Sequence, residues 1–173
     1  IMTARIRLTA VLLGMFVCAT GSLARGDLIN KAVKGKPALR SIDVLSFASD
    51  GVLLIGDGSG SQIVAVRTGD TVAKKRSWNK ISDFDKKIAA RLGTTPKGIS
   101  IIDVAVNPKS GTAYVAVRKQ AERKYLIVTV DGSGEIGEFE LENVSYASVK
   151  LSAGKVRISK ITDVAWADGK IIA

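Results

Sequence analysis

Apolar residues in this chain gather into short runs of roughly four to eight, broken by Gly, Ser and Asp, a pattern that predicts strands and tight turns. One phrase recurs at a fixed interval: Ile42-Asp43-Val44, Ile102-Asp103-Val104 and Thr162-Asp163-Val164 stand 60 residues apart. Each opening is followed by further apolar residues, a turn holding Asp50-Gly51, Ser110-Gly111 or Asp168-Gly169, and a second apolar run, "VLLIG", "TAYVAV" or "KIIA". A glycine there accommodates positive φ, so each copy predicts a β-hairpin, the third with a shorter turn. Internal repetition of this kind outranks local propensity in deciding architecture.

The first two copies continue in parallel. "QIVAVRTGDTV" matches "YLIVTVDGSGEI", which adds a third strand, a Gly-bearing turn and a weaker fourth strand to each. The link before the third strand is longer in the second copy, where "RKQAERK" stands opposite "DGSGS", and this predicts an exposed loop. "IIDVAV" and "YLIVTV" are apolar at successive positions, and successive side chains of a strand point to opposite faces, so these strands require cover on both sides. A four-stranded antiparallel unit buried on both faces and repeated head to tail is the blade of a β-propeller.

Between the copies lies "KISDFDKKIAARLG". Ser82 is placed as an N-cap with Asp85 three residues on, Phe84, Ile88 and Leu92 fall at helical spacing, and Gly93 takes the C′ position. The spacing predicts a helix over 83–92, packed against a face or rim of the blades, because so short a helix needs a surface. Residues 138–160 alternate and predict a further strand or an extended connection.

The segments "IDVLSFASDGVLLIGDGSGSQIVAV" and "IDVAVNPKSGTAYVAV" with "YLIVTVDGSGE" resemble the repeats of NHL-repeat and gluconolactonase-like propellers. The resemblance covers about residues 41–72 and 101–140 plus the stub from 161. It implies an all-β partial β-propeller: one blade over 41–76, an inserted short helix over 83–92, a blade over 101–142 and the start of a third blade over 161–173. Closed rings hold typically four to eight blades, so the expectation is an N-terminal fragment of a longer protein.

Residues 1–24 stand apart. Arg5 and Arg7 precede an apolar run from Leu8 to Ala19 and the small-residue pattern Ser22-Leu23-Ala24, which predicts a secretory signal peptide cut after Ala24, with 25–40 as a linker. The run is shorter than the roughly 20 residues a membrane span needs, so no membrane-spanning segment is expected after cleavage. Cleavage removes Cys18, the single cysteine, which suits a secreted or periplasmic location. It also removes two arginines and no acid, lowering the formal net charge from +10 to +8. The basic excess is spread over clusters such as Lys74-Lys75-Arg76, Lys86-Lys87 and Arg118-Lys119, and admits non-specific attraction to an anionic polymer. Nucleic acid is not expected as a partner, because aromatics make up only 5% of the chain and none is interleaved with the basic clusters.

The chain has no histidine, which removes His-based triads, general bases and metal ligands. No phosphate-cradling loop or nucleophile elbow is present, and no catalytic residue or cofactor is assigned. "DGSG" at Asp57–Gly60 and again at Asp131–Gly134 predicts turns, since neither continues into a Ca²⁺ loop. Asp43, Asp103 and Asp163 are the candidate metal residues: in a ring, equivalent carboxylates encircle one mouth of the channel and can hold Ca²⁺ or another divalent cation. The resemblance implies a channel metal held by Glu, Asn and Asp, but its glutamate is not seen here and no asparagine stands at the repeat position. The alternative role for these aspartates is to accept hydrogen bonds from turn amides. The leading expectation is an extracytoplasmic propeller that binds a protein or small-molecule ligand or acts as a scaffold. The alternative is a metal-dependent gluconolactonase-like hydrolase.

Overall fold

The structure is a computed structural model that describes residues 29, 31–73, 80–152, 154 and 158–173. The signal segment expected over 1–24 and the Lys74-Lys75-Arg76 cluster lie outside the described residues.

Among the described residues, eleven strands and one α-helix follow in the order β1 (Val33–Gly35), β2 (Val44–Phe47), β3 (Val52–Asp57), β4 (Gln62–Arg67), α1 (Phe84–Arg91), β5 (Ile99–Val106), β6 (Ala113–Lys119), β7 (Lys124–Val130), β8 (Ile136–Phe139), β9 (Val144–Lys150), β10 (Ala165–Ala167) and β11 (Lys170–Ile172). The described residues are all-β apart from α1 and short 3₁₀ turns, and every strand pairing among them is antiparallel. Each copy of the repeat forms its hairpin: β2–β3, β5–β6 and β10–β11. Sheet one has the order β1-β9-β4-β3-β2, sheet two β5-β6-β7-β8, and the third copy is a two-stranded hairpin. Among the described residues no sheet closes on itself.

Sheet one departs from the expected local order. Its fourth strand is not the segment after Arg67 but β9, which pairs with β4 from Gln62↔Lys150 to Arg67↔Ser145 after the chain has built all of sheet two. The "TGDTV" segment has Gly69, Asp70 and a 72% exposed Val72, too broken to compete with the alternating "VSYASVK" of β9. The longer link expected in the second copy is not a longer loop either. Its extra residues extend the β6–β7 hairpin by two pairs, Arg118↔Tyr125 and Lys119↔Lys124.

The three repeat units stack in the order third copy, sheet one, sheet two. Leu45, Leu53, Ile55, Val64 and Val66 of sheet one meet Ala105, Tyr114, Ala116 and Ile127 of sheet two. At its centre Tyr114 sits edge-on between Phe47 and Phe139, with ring centroids 5.1 and 5.4 Å away. On the other face of sheet one, Leu54, Ile63 and Ala65 pack against Ile161, Val164, Trp166 and Ile171. The outer face of sheet two is covered over β6 and β7 by α1, whose Ile88, Ala89 and Leu92 rest on Val115, Val117, Val128 and Val130. The helix thus lies on a sheet face, as its length requires.

Its ends differ in how well the sequence marks them. The N-cap is Asp83, in the left-handed region at φ 53° with no side-chain cap bond, rather than Ser82. Gly93 at φ 66° closes the other end in a Schellman turn, Gly93 N–H donating to Ala90 O and Thr94 N–H to Ala89 O.

Register separates the first two copies. Sheet one pairs Leu45↔Ile55 and Phe47↔Leu53, whereas sheet two pairs Val104↔Val115 and Val106↔Ala113. Five residues (48–52) join the first pair of strands and six (107–112) the second, where Asn107 Oδ1 accepts from Lys109 N–H at 3.0 Å in a turn ahead of Ser110-Gly111. A one-residue slip exchanges the two faces of a strand. Val104 and Val106 therefore occupy the places that Leu45 and Phe47 hold in sheet one, and a bulge between Ile101 and Asp103 absorbs the offset.

Leu54 is fully buried in β3, so Leu54→Ala is expected to cost about 3 kcal/mol. Val72→Ala, at an exposed site, is expected to cost about 0.5 kcal/mol or less. Urea unfolding of the two variants checks the contrast.

Candidate functional site

A cleft of about 480 Å³ opens where the two large sheets splay apart. One wall is the connection from β1 to β2, with Lys36, Leu39, Arg40 and Ile42; the other is the start of β7 and the end of β8. The "EFELE" stretch alternates so that Phe139 and Leu141 pack toward the core between the sheets, while Glu138, Glu140 and Glu142 are exposed. Tyr125 and Ile127 continue the apolar floor, and the Arg118 guanidinium lies 5.7 Å from the centre of the Tyr125 ring. Exposed Arg40 stands on the first wall, and exposed Arg123 and Lys124 share the second wall with the glutamates. Lys36 Nζ and Glu142 Oε1, 2.6 Å apart, bridge the two walls.

The first wall is held by a group the sequence reading passed over as part of a turn. Asp57, fully buried at the end of β3, accepts five hydrogen bonds. Oδ1 takes Ser41 N–H at 2.9 Å, Ser41 Oγ–H at 3.0 Å and Gly60 N–H at 2.8 Å. Oδ2 takes Arg40 N–H at 3.0 Å and the Gln62 side-chain amide at 2.8 Å. Burial raises the pKa of this carboxyl, but the hydrogen bonds from Arg40, Gln62, Gly60 and Ser41 outweigh it, leaving the group below its ordinary value of 3.8. A Cβ on Gly60 would lie 2.2 Å from Asp57 Oδ2, so the glycine is required by close approach. The signal in the sequence was the glycine on either side of Asp57, which lets a turn fold its amides back onto the carboxylate.

A second polar cluster ties the sheets at the opposite end of β3. Asp70 Oδ2 accepts from Ser110 Oγ–H at 2.5 Å, and the Asn107 side-chain amide donates to Asp70 O at 2.6 Å. Tyr114 reaches the same carboxylate at 3.4 Å, and burial, followed by the Asp70 charge, pushes its hydroxyl up to about 12.

The repeat aspartates are separately engaged. Asp103 Oδ2 accepts from Leu45 N–H at 2.7 Å, joining sheet two to sheet one. Asp43 Oδ2 accepts from Gly58 N–H at 2.9 Å and Ile161 N–H at 3.2 Å, joining sheet one to the third copy. Asp163 Oδ1 accepts from Val164 N–H at 2.8 Å. Among the described residues, no three acidic side chains come together into a group able to hold a metal ion. Both "DGSG" stretches are turns. In the second, Asp131 Oδ1 accepts from Ser133 N–H, Ser133 Oγ–H and Glu135 N–H. Comparison of the chain with protein-family models, with curated proteins and with solved structures yields no match.

Asp57→Asn puts an amide donor among five donors, and is expected to cost about 2–4 kcal/mol. Because the folded-state pKa lies below the unfolded one, the carboxylate's contribution is present above about pH 4 and is lost as pH falls through the folded value. Urea midpoints taken from pH 7 down to pH 3 should converge for wild type and variant.

Proposed function

We propose that this chain is an extracytoplasmic, propeller-like binding module whose cleft between the β1–β2 connection and β7/β8 seats an extended peptide segment of a partner protein. The observation that carries the reading is the lining: an apolar floor of Leu39, Ile42, Tyr125 and Phe139 bordered by charged side chains of both signs. A peptide in extended form sends alternate side chains to opposite sides, so apolar residues can enter the floor while charged ones meet that border. The Asp57 hydrogen bonds fix one wall before any ligand arrives, which lowers the ordering cost of binding. The secretory pattern of residues 2–24 and the single cysteine within it support the location. Among the described residues no helix is long and apolar enough to cross a membrane. Stacked antiparallel sheets with neighbouring inner strands, joined through the repeat aspartates, support the propeller-like reading.

A random peptide library displayed on phage and panned on the protein tests the site. Enriched peptides are expected to bind at least tenfold more weakly, about 1.4 kcal/mol, to Arg40→Glu and to Glu140→Lys, both at exposed cleft positions. Enrichment that those substitutions leave intact would move the binding surface elsewhere. Expression with residues 2–24 retained in a bacterial host, followed by N-terminal sequencing of the periplasmic fraction, is expected to read Arg25 as the first residue.

A further inference from the structure

The ladder between β7 and β8 stops before β7 does. Its pairs run from Val130↔Ile136 to Ile127↔Phe139, whereas β7 begins three residues earlier, held there only from the β6 side by Lys119↔Lys124, Arg118↔Tyr125 and Val117↔Leu126. Beyond Phe139 the chain leaves the sheet at Glu140 and Leu141 and turns at Glu142 to enter β9. Lys124, Tyr125 and Leu126 on one side of this fork, and Glu140, Leu141 and Glu142 on the other, all line the cleft.

The alternation of main-chain groups along a strand decides what the open part of β7 offers. Gln120 N–H donates to Gly98 O at 2.9 Å, so Arg118, two residues before it, also turns its N–H and C=O toward β5. Lys119 and Val117 then turn theirs toward β7, where Lys124 and Leu126 meet them, and Tyr125 between those two turns its N–H and C=O away from β6. The far end of β7 agrees: Asp131 N–H donates to Glu135 O at 3.1 Å, which puts the main-chain groups of Thr129, Ile127 and Tyr125 on the β8 edge. Ile127 finds Phe139 there, and Tyr125 has no residue of β8 opposite it. Among the described residues no hydrogen bond reaches its N–H or C=O. An unpaired strand edge is a template for another strand, and this one opens into the cleft.

We infer that the partner's segment binds by strand addition, its main chain exchanging hydrogen bonds with Tyr125 N–H and C=O alongside Lys124–Leu126, where β8 has ended. The inference rests on the reading of the cleft as a peptide site and adds how the peptide is held and which residues it carries. Tyr125 and Ile127 turn their side chains to the seam with sheet one, in the same cluster as Leu39 and Ile42, while Leu126 turns to the α1 side. A peptide residue level with Tyr125 points into that seam and is therefore apolar. Its neighbour level with exposed Lys124 is acidic, since opposite charges across a strand pair attract and the chain as a whole carries a formal net charge of +10.

Amide hydrogen exchange followed by NMR tests it, first on the free protein and then with the tightest peptide from phage panning. In the free protein the Tyr125 amide is expected to exchange about tenfold or more faster than those of Leu126 and Val128, which bond to β6; a Tyr125 amide as slow as theirs overturns the inference. A cleft peptide, defined as one whose binding Arg40→Glu weakens, is expected to carry an apolar residue next to an acidic one and to slow the Tyr125 amide about tenfold or more. Methylating its main-chain nitrogens one at a time is expected to weaken binding about tenfold at the residue that donates to Tyr125 C=O, and about twofold or less at the residues on either side. A cleft peptide that leaves the Tyr125 amide fast, or whose methylation series shows no such alternation, overturns strand addition and leaves the cleft reading standing. Panning that yields no cleft peptide overturns both.

Discussion

A sheet that is apolar on both faces has no stable solitary form; something must lie against each face, and the whole molecule is arranged by that requirement. Sheet one meets it with two other repeats, its Leu53 and Ile55 turned to sheet two and its Leu54 and Ile63 turned to the third copy, all buried at 0–2% exposure. Burial of this kind, at roughly 25 cal/mol per Å² of apolar surface, is the dominant favourable term, and polar groups in the seams have to be satisfied there. That is why Asp57 and Asp70 sit at opposite ends of β3, each surrounded by donors: they finish the seams where the strands stop and the turns begin. The cleft arises from the same geometry, since two twisted sheets packed at the middle part company toward an edge.

The hairpins, the helix and its Gly93 stop were legible in the sequence because each depends on neighbours close along the chain. A turn needs its glycine within a few residues, and Phe84, Ile88 and Leu92 mark a helical face by spacing alone. The all-β character followed from the same short apolar runs. β9 was legible as an extended stretch but not as the partner of β4, because 77 residues separate Arg67 from Val144 and local pattern does not say which edge a strand will join. Sheet two, built entirely within that interval, was contiguous and was read in the right order.

Register was hidden for a subtler reason. The first two copies align without a gap from Asp43 to Gly51 and from Asp103 to Gly111, so identical spacing suggested identical geometry. The turns differ in how many residues they take, and Asn107 with Pro108 draws one more residue out of the strand than Ala48 does. A strand of alternating character would have resisted that slip, because it would have sent polar side chains into the core. "IIDVAV" resists little, being apolar at nearly every position. The same lack of alternation leaves Val104 and Val106 on an open face, where β5 was expected to be covered on both sides. The cleft was equally out of reach of the sequence, since Arg40, Arg123 and Glu140 lie on three segments that only the packing brings together.

Recurrence of an aspartate at the head of each copy admits a reading in terms of the backbone alone. An inner strand at the edge of its sheet offers main-chain N–H groups without ladder partners, and such an edge invites the pairing of foreign strands unless it is occupied. A carboxylate from the adjoining repeat can accept such an N–H without adding a strand, as Asp103 does at Leu45 of β2; Asp43 makes a similar bond to Ile161 N–H, ahead of β10. A longer acid at these positions would place its oxygens a further bond from the backbone, and an amide would present a donor as well as an acceptor to an N–H group. Aspartate is the residue that fits, and it both spaces the repeats and closes an edge. It follows that the direction of the stack and the positions of two of these carboxylates are one feature: sheet two supplies the acid that bonds sheet one, and sheet one supplies the acid that bonds the third copy.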